Sequence, residues 1–273
     1  MDTSTAASEL LVQEIETGIT LLTLNRPERL NALSQSLVAT LHATFDRIAL
    51  DRHARVVIVT GAGRGFCAGA DVKEASGAPG TAGMGQVAAI FLTQEHLASL
   101  HEKIHRCSKP VIAAVNGPAM GGGFSLSLAC DIRYAAASAT FGARFIKMGV
   151  SACDMGTSYL LPRLVGASRA AELMLTGRIF AAPEAREMGL VLDVVPDGAV
   201  IERALATARE ICENPPLATW MTKETMWQTI DAPSMRHALD LENRTQVMCT
   251  HTGELQEAFQ AFVDKRKPRW QDL

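Results

Sequence analysis

The chain reads as an α/β protein: an α/β core over residues 1–195 followed by a helical region over 196–273. Three observations predict this. Two short β-branched runs, Val56-Val57-Ile58-Val59 and Val111-Ile112-Ala113-Ala114-Val115, each lead into glycines and then a helix-compatible segment. A strand–strand–helix rhythm recurs up to about Ala182. From Pro183 onward helical patterns dominate, apart from Val191–Val195.

Taken in order, Leu10–Glu16 and Ile19–Leu24 alternate around Thr17-Gly18 and predict a hairpin. Asn25-Arg26-Pro27 ends its second strand. Ser34 is placed to cap a helix reaching about Asp51, with Leu37, Leu41, Phe45 and Ile48 on one face. Strand Val56–Thr60 follows, then Gly61-Ala62-Gly63-Arg64-Gly65 and a polar, helix-like start at Asp71. Ala75–Gly85, rich in glycine, alanine and proline, predicts a mobile loop. A helix is expected from about Gln86 to Cys107, a strand after Lys109-Pro110, a turn at Asn116–Gly121, a helix from the glycine triplet and a strand over Asp131–Ala135. Ser158–Leu164 predicts another helix. The C-terminal helices are expected at Val200–Glu213, Ala218–Asp231, Ser234–Thr250 and Glu254–Lys265.

Composition narrows the class. With 273 residues the chain is long enough for a large core, and 48% hydrophobic against 20% charged residues describes a globular protein. A net charge of −3 offers no electrostatic footprint for nucleic acid. No run has the length of a membrane-spanning helix, and Met1–Glu9 has neither a signal peptide's apolar stretch nor a transit peptide's arginines. None of the six cysteines forms a CxxC pair, so no metal site is expected and a reducing compartment, the cytoplasm, is the natural setting.

The chemistry-bearing pattern is the pair of strand–glycine–helix segments. Glycines at a helix start leave backbone N–H groups bare toward a ligand, and the helix dipole favours negative charge there. Two such segments, each supplying one N–H to a shared oxygen, would make an oxyanion hole. The other reading is that both glycine clusters only turn the chain. The histidines lie mostly in helical patterns without a serine or cysteine partner, and read as surface or packing residues.

Six ordered blocks carry a resemblance to the crotonase (enoyl-CoA hydratase/isomerase) superfamily: Asn25–Leu33, Gly61–Glu74, Val111–Gly123, Cys130–Ala135, Leu175–Arg178 and Phe262–Pro268. The resemblance implies a spiral core of strand–strand–helix turns, a C-terminal helical part that mediates trimers or a dimer of trimers, and an acyl-CoA thioester as substrate. Coenzyme A would then belong to the substrate, with no separate cofactor. It assigns the oxyanion donors to Ala70 and Gly122 and places Ala68, Lys73, Phe262 and Lys265 near the coenzyme. The two glutamates of the family's hydratases fall at Ser125 and Phe145, neither of which is an acid or base. Hydration needs a base for water and an acid for carbon, whereas moving a double bond needs one group that takes and returns a proton. Asp154 falls where some dienoyl-CoA isomerases of the superfamily carry a catalytic aspartate. Isomerisation is therefore the expected reaction. A non-catalytic acyl-CoA-binding protein and an acyl-CoA hydrolase or lyase are the alternatives. Asp154 is either the proton carrier or a cap for the following helix. Arg144 and Lys147 flank the same loop as possible partners of Asp154 or pocket-lining residues.

Overall fold

The computed structural model describes residues 8–73 and 77–273. The hairpin of β1 (Leu10–Glu16) and β2 (Ile19–Leu24) forms as expected, with Gly18 supplying φ +76° at the turn. Helix α1 (Gln35–Leu50) begins where the Ser34 hydroxyl accepts the Leu37 N–H, and its Leu37, Leu41, Phe45 and Ile48 are all buried. There follow β3 (Val56–Gly61), α2 (Gln86–His105), β4 (Val111–Val115), β5 (Ala119–Met120), α3 (Gly122–Ala129), β6 (Ile132–Ala136) and β7 (Thr140–Gly142). The chain continues through α4 (Thr157–Val165), α5 (Ala167–Thr176), β8 (Phe180–Ala181), α6 (Ala182–Glu187), β9 (Asp193–Val195), α7 (Val200–Cys212), α8 (Pro216–Thr229), α9 (Met235–Thr250) and α10 (Glu254–Val263).

The main sheet has the order β1-β2-β3-β4-β6-β9, parallel throughout except for the β1–β2 hairpin; β5, β7 and β8 make a second, small sheet. Strands β3 and β4 are buried along their whole length, which is why their sequences are continuously apolar rather than alternating. Successive side chains go to opposite faces. Val57, Val59, Val111, Ala113 and Val115 join the core packed with α1, α2 and α3, whereas Val56, Ile58, Ile112 and Ala114 join a second cluster with Val200, Ala204, Leu205 and Ala208 of α7. Helix α7, the first C-terminal to residue 195, thus packs on the sheet.

The next three helices stand off it. Only Pro216 and Lys223 of α8, nothing in α9 and only Ala261 of α10 are buried. An ionic anchor holds α8 to the core: Lys223 Nζ lies 2.8 Å from Asp131 Oδ2, and Trp227 Nε1 donates to Asp131 Oδ1 at 2.9 Å. The same carboxylate accepts the Val111 N–H at the start of β4.

From Asp71 the chain enters a turn over residues 72 and 73, its carboxylate accepting the Lys73 N–H at 3.1 Å and an Arg26 bond at 2.9 Å; residues 74–76, through which the helix-like start at Asp71 would continue, lie outside the described residues. Residues 75 and 76 of the expected mobile loop lie outside the described residues. The rest of it is turn-rich and tied to α2, since Thr93 Oγ1 accepts the Ala78 N–H at 3.0 Å.

Candidate active site

Parallel neighbours β3 and β4 end on the same edge of the sheet, so the loops that leave them, 61–70 and 116–121, emerge side by side. The loops are knitted together. The Pro118 carbonyl accepts the N–H groups of Phe66 and Cys67 at 3.1 and 3.0 Å, and the Cys67 carbonyl accepts the Met120 N–H at 2.9 Å. Buried Asn31 staples the first loop to the 25–33 segment: its amide donates to the Ala62 and Gly65 carbonyls, and its oxygen accepts the Arg26 N–H. Arg26 in turn pairs with Asp71 at 2.9 Å, with both side chains largely buried.

This stapling decides where two N–H groups point. Leu33 donates to the Gly69 carbonyl and accepts the Asp71 N–H, so the N–H of Ala70, between them, faces the other way and has no partner among the described residues. Gly122 is the first residue of α3, and its N–H lies outside the helix ladder. Gly69, at φ +94°, brings the strands of loop together: a Cβ there would sit 2.7 Å from the Met120 oxygen and 3.1 Å from the Gly122 nitrogen. Ala70 and Gly122, expected as partners, are thus brought together at one spot.

The side chains around this spot differ in what they can do. Ser125 is fully buried and its hydroxyl pairs with Thr157 Oγ1 at 2.6 Å and with the Gly121 carbonyl at 3.2 Å, so it is engaged within the protein. Thr157, a partner that carried no motif, starts α4. Phe145 is buried, with its ring beside Gly121. Met155, at φ +47°, lays its sulfur over Gly122. The half-buried Asp154 accepts a 2.5 Å bond from Gln94 Nε2 of α2. Its side chain does not cap α4; its backbone carbonyl accepts the Thr157 N–H, and Gly156 precedes the helix without a side-chain cap.

Arg144 does not pair with Asp154; its guanidinium donates to the Gly177 carbonyl at 2.8 Å, and Lys147 is exposed. Of the two readings for the histidines, surface or packing, His101 takes the second: it is buried, with Nδ1 3.1 Å from the Leu97 oxygen and Nε2 3.1 Å from the Gly122 oxygen. Burial pulls the imidazole below its ordinary value, outweighing the backbone of Gly122, Leu97 and Ala98 and the charge of Asp154, which act upward, so the ring is neutral at pH 7. Its spacing, seven residues after Gln94 on one helix, was the available signal. Cys67 lies in the first loop, but burial pushes its thiol up to about 12, which removes it as a nucleophile.

The expected coenzyme contacts are spread more widely. Ala68 is half-buried and its N–H goes to the Leu30 carbonyl; Lys73 is exposed beside the loop. Phe262, 84% exposed, and the exposed Lys265 lie at the end of α10. Among the described residues no group of three His, Cys, Asp or Glu side chains could hold a metal ion. No helix among them is long and apolar enough to cross a membrane. The cavity of about 680 Å³ between α1, α2 and α8 contains neither loop.

The sequence model of the enoyl-CoA hydratase/isomerase family matches residues 14–273. The chain belongs to this family. A probable enoyl-CoA hydratase of Mycobacterium leprae is 40% identical over 249 residues, covering 91% of this chain and 85% of that protein. A 1,2-epoxyphenylacetyl-CoA isomerase of Escherichia coli is 34% identical, covering 96% and 98%. The crystal structure of a probable enoyl-CoA hydratase/isomerase from Mycobacterium abscessus superposes with a TM-score of 0.90 at 38% identity, covering 97% of this chain and 99% of that one. The enoyl-CoA hydratase/isomerase chain described here therefore has the crotonase fold.

Proposed function

We propose that this enoyl-CoA hydratase/isomerase family member moves a double bond in an acyl-CoA thioester through an enolate. The carrying observation, among the described residues, is the pair of unpartnered N–H groups at Ala70 and Gly122 with the half-buried carboxylate of Asp154 on the neighbouring loop. In this reading the thioester oxygen sits at the two N–H groups. Asp154 removes a proton from C2 of a 3-enoyl-CoA, and the electron pair delocalises onto the thioester oxygen. The proton returns at C4 and leaves the 2-enoyl product, with no net gain or loss of atoms or electrons. Losing one oxyanion donor costs such a step about 2.7–4 kcal/mol.

Hydration is disfavoured because Ser125 and Phe145 supply no second carboxylate, and the Ser125 hydroxyl is engaged with Thr157. The same feature supports the competing reading of an acyl-CoA-binding protein without turnover. Ala68, Lys73, Phe262 and Lys265 are assigned to coenzyme contacts, Phe262 from a neighbouring subunit, and no cofactor beyond the substrate's coenzyme A is invoked. Self-association as a trimer or dimer of trimers accords with the exposed Val247, Phe259 and Phe262 and the half-buried Leu239.

The test is a panel of 2-enoyl- and 3-enoyl-CoA thioesters with products resolved by chromatography. Double-bond migration without 3-hydroxyacyl-CoA supports the proposal. Efficient hydration overturns the single-carboxylate argument, and tight binding without any product establishes the binding-protein reading.

A further inference from the structure

Helix α2 does more than cover the sheet. Gln94 and His101, two turns apart on one of its faces, reach Asp154 and Gly122 respectively. His101 is 2% exposed, and both ring nitrogens face carbonyl oxygens. A neutral imidazole has one N–H for these two acceptors. The approach of Nδ1 to Leu97 is local, fixed by the rotamer of a helical side chain toward the carbonyl one turn back. The approach of Nε2 to Gly122 joins two separate elements, α2 and α3. Those elements would move apart if two lone pairs met at 3.1 Å.

We infer that His101 is a positioning residue for the oxyanion hole, donating from Nε2 to the Gly122 carbonyl and so fixing the first turn of α3. The inference rests on the assignment of Gly122 as an oxyanion donor. The bond locks the peptide plane that follows Gly122 and polarises it toward the Gly123 N–H. Gly121 and Gly123 on either side are held by the backbones of Gly142 and Cys67, while above Gly122 itself lies only the flexible end of Met155, so His101 supplies the fixed polar contact at that residue. The opposite end of α3 is held by the buried Arg133, which donates to the Cys130 carbonyl at 2.5 Å and to the Leu190 carbonyl at 2.9 Å. The helix is therefore gripped at both ends by side chains from neighbouring elements.

The test reads the hole directly, with or without turnover. A saturated hexanoyl-CoA carrying 13C at the thioester carbonyl is bound to the protein, and the carbonyl band is recorded by infrared difference spectroscopy. Binding to the wild type should lower the band frequency. In His101→Gln, whose amide nitrogen falls near the place of Nε2, the shift should persist. In His101→Asn, whose amide nitrogen falls near the place of Nδ1, and in His101→Phe it should shrink. Where 3-enoyl-CoA is turned over, kcat should fall about 10–100-fold in the Asn and Phe variants, as for a displacement of order an ångström, with KM nearly unchanged. Glutamine should restore kcat. Equal band shifts in the Gln and Asn variants overturn the role of His101, and the pair decides even if the Phe variant fails to fold. A wild type with no band shift overturns the oxyanion assignment itself.

Discussion

Adjacent glycines at the start of α3 should respond very differently to the same added methyl group. A Cβ on Gly123 would lie 2.1 Å from the Cys67 carbonyl oxygen and 2.6 Å from the Cys67 carbonyl carbon. Both are backbone atoms of the first loop, and that oxygen already accepts the Met120 N–H. Contacts below 3.0 Å are not sustained, so the two loops must part by about 0.9 Å. A displacement of that size at a catalytic centre costs on the order of 10²-fold in rate, and overpacking of this kind destabilises by about 1–3 kcal/mol. At Gly122 the nearest atom is Met155 Sδ at 2.9 Å, followed by Leu33 Cδ1 at 3.4 Å. Those are ends of flexible side chains, and Gly122→Ala keeps its N–H. Helix propensity alone predicts that both alanines stabilise, by up to about 1 kcal/mol. The measurements are turnover of the preferred enoyl-CoA and urea unfolding of both variants. Gly123→Ala should lose about 10²-fold in kcat and lose stability, whereas Gly122→Ala stays within a few-fold of wild type. A Gly123→Ala protein as active and as stable as wild type would refute the inferred contact between the loops.

Asp154→Asn should reduce isomerisation by about 10²–10⁴-fold while leaving the melting temperature nearly unchanged, because the side chain bonds Gln94 and not the N-terminus of α4; an unstable variant with normal turnover contradicts this. Lys223→Met leaves the buried Asp131 carboxylate without its cation and should destabilise by about 3–5 kcal/mol in denaturant unfolding. Asp71 titrates below the ordinary aspartate range: burial acts upward, but the Arg26 bond, the Lys73 N–H and the charges of Arg26 and Arg29 outweigh it. A depressed folded-state value gives stability that is present above about pH 4 and is lost as pH falls through the folded value. Arg26→Gln should flatten that part of the acid unfolding curve. Light scattering at micromolar concentration should report a trimer or hexamer, and a monomer speaks against the assembly proposed for α9 and α10.

Much of the architecture was legible because its causes are local. The β1–β2 hairpin follows from alternation around Thr17-Gly18. The α1 start follows from Ser34, and β3 and β4 follow from β-branched runs buried on both faces. The partners of the polar side chains were not legible. Arg26 pairs with Asp71 across 45 residues, Thr157 with Ser125 across 32 and Gln94 with Asp154 across 60, and side-chain partners on different elements leave no spacing rule to find.

The amino-acid order by itself determined the elements and the identity of the glycine-bearing turns, because backbone preference and hydrophobic period act over a few residues. Only the tertiary structure decided what those turns face. The parallel pairing of β3 and β4 brings the two loops to one edge, and the Leu33 bridge turns the Ala70 N–H outward. Folding also buries His101 against the Gly122 carbonyl, which changes a helical histidine from a packing residue into one that touches the site. Each of these depends on the relative placement of segments tens of residues apart, which hydrophobic burial selects and no local pattern encodes.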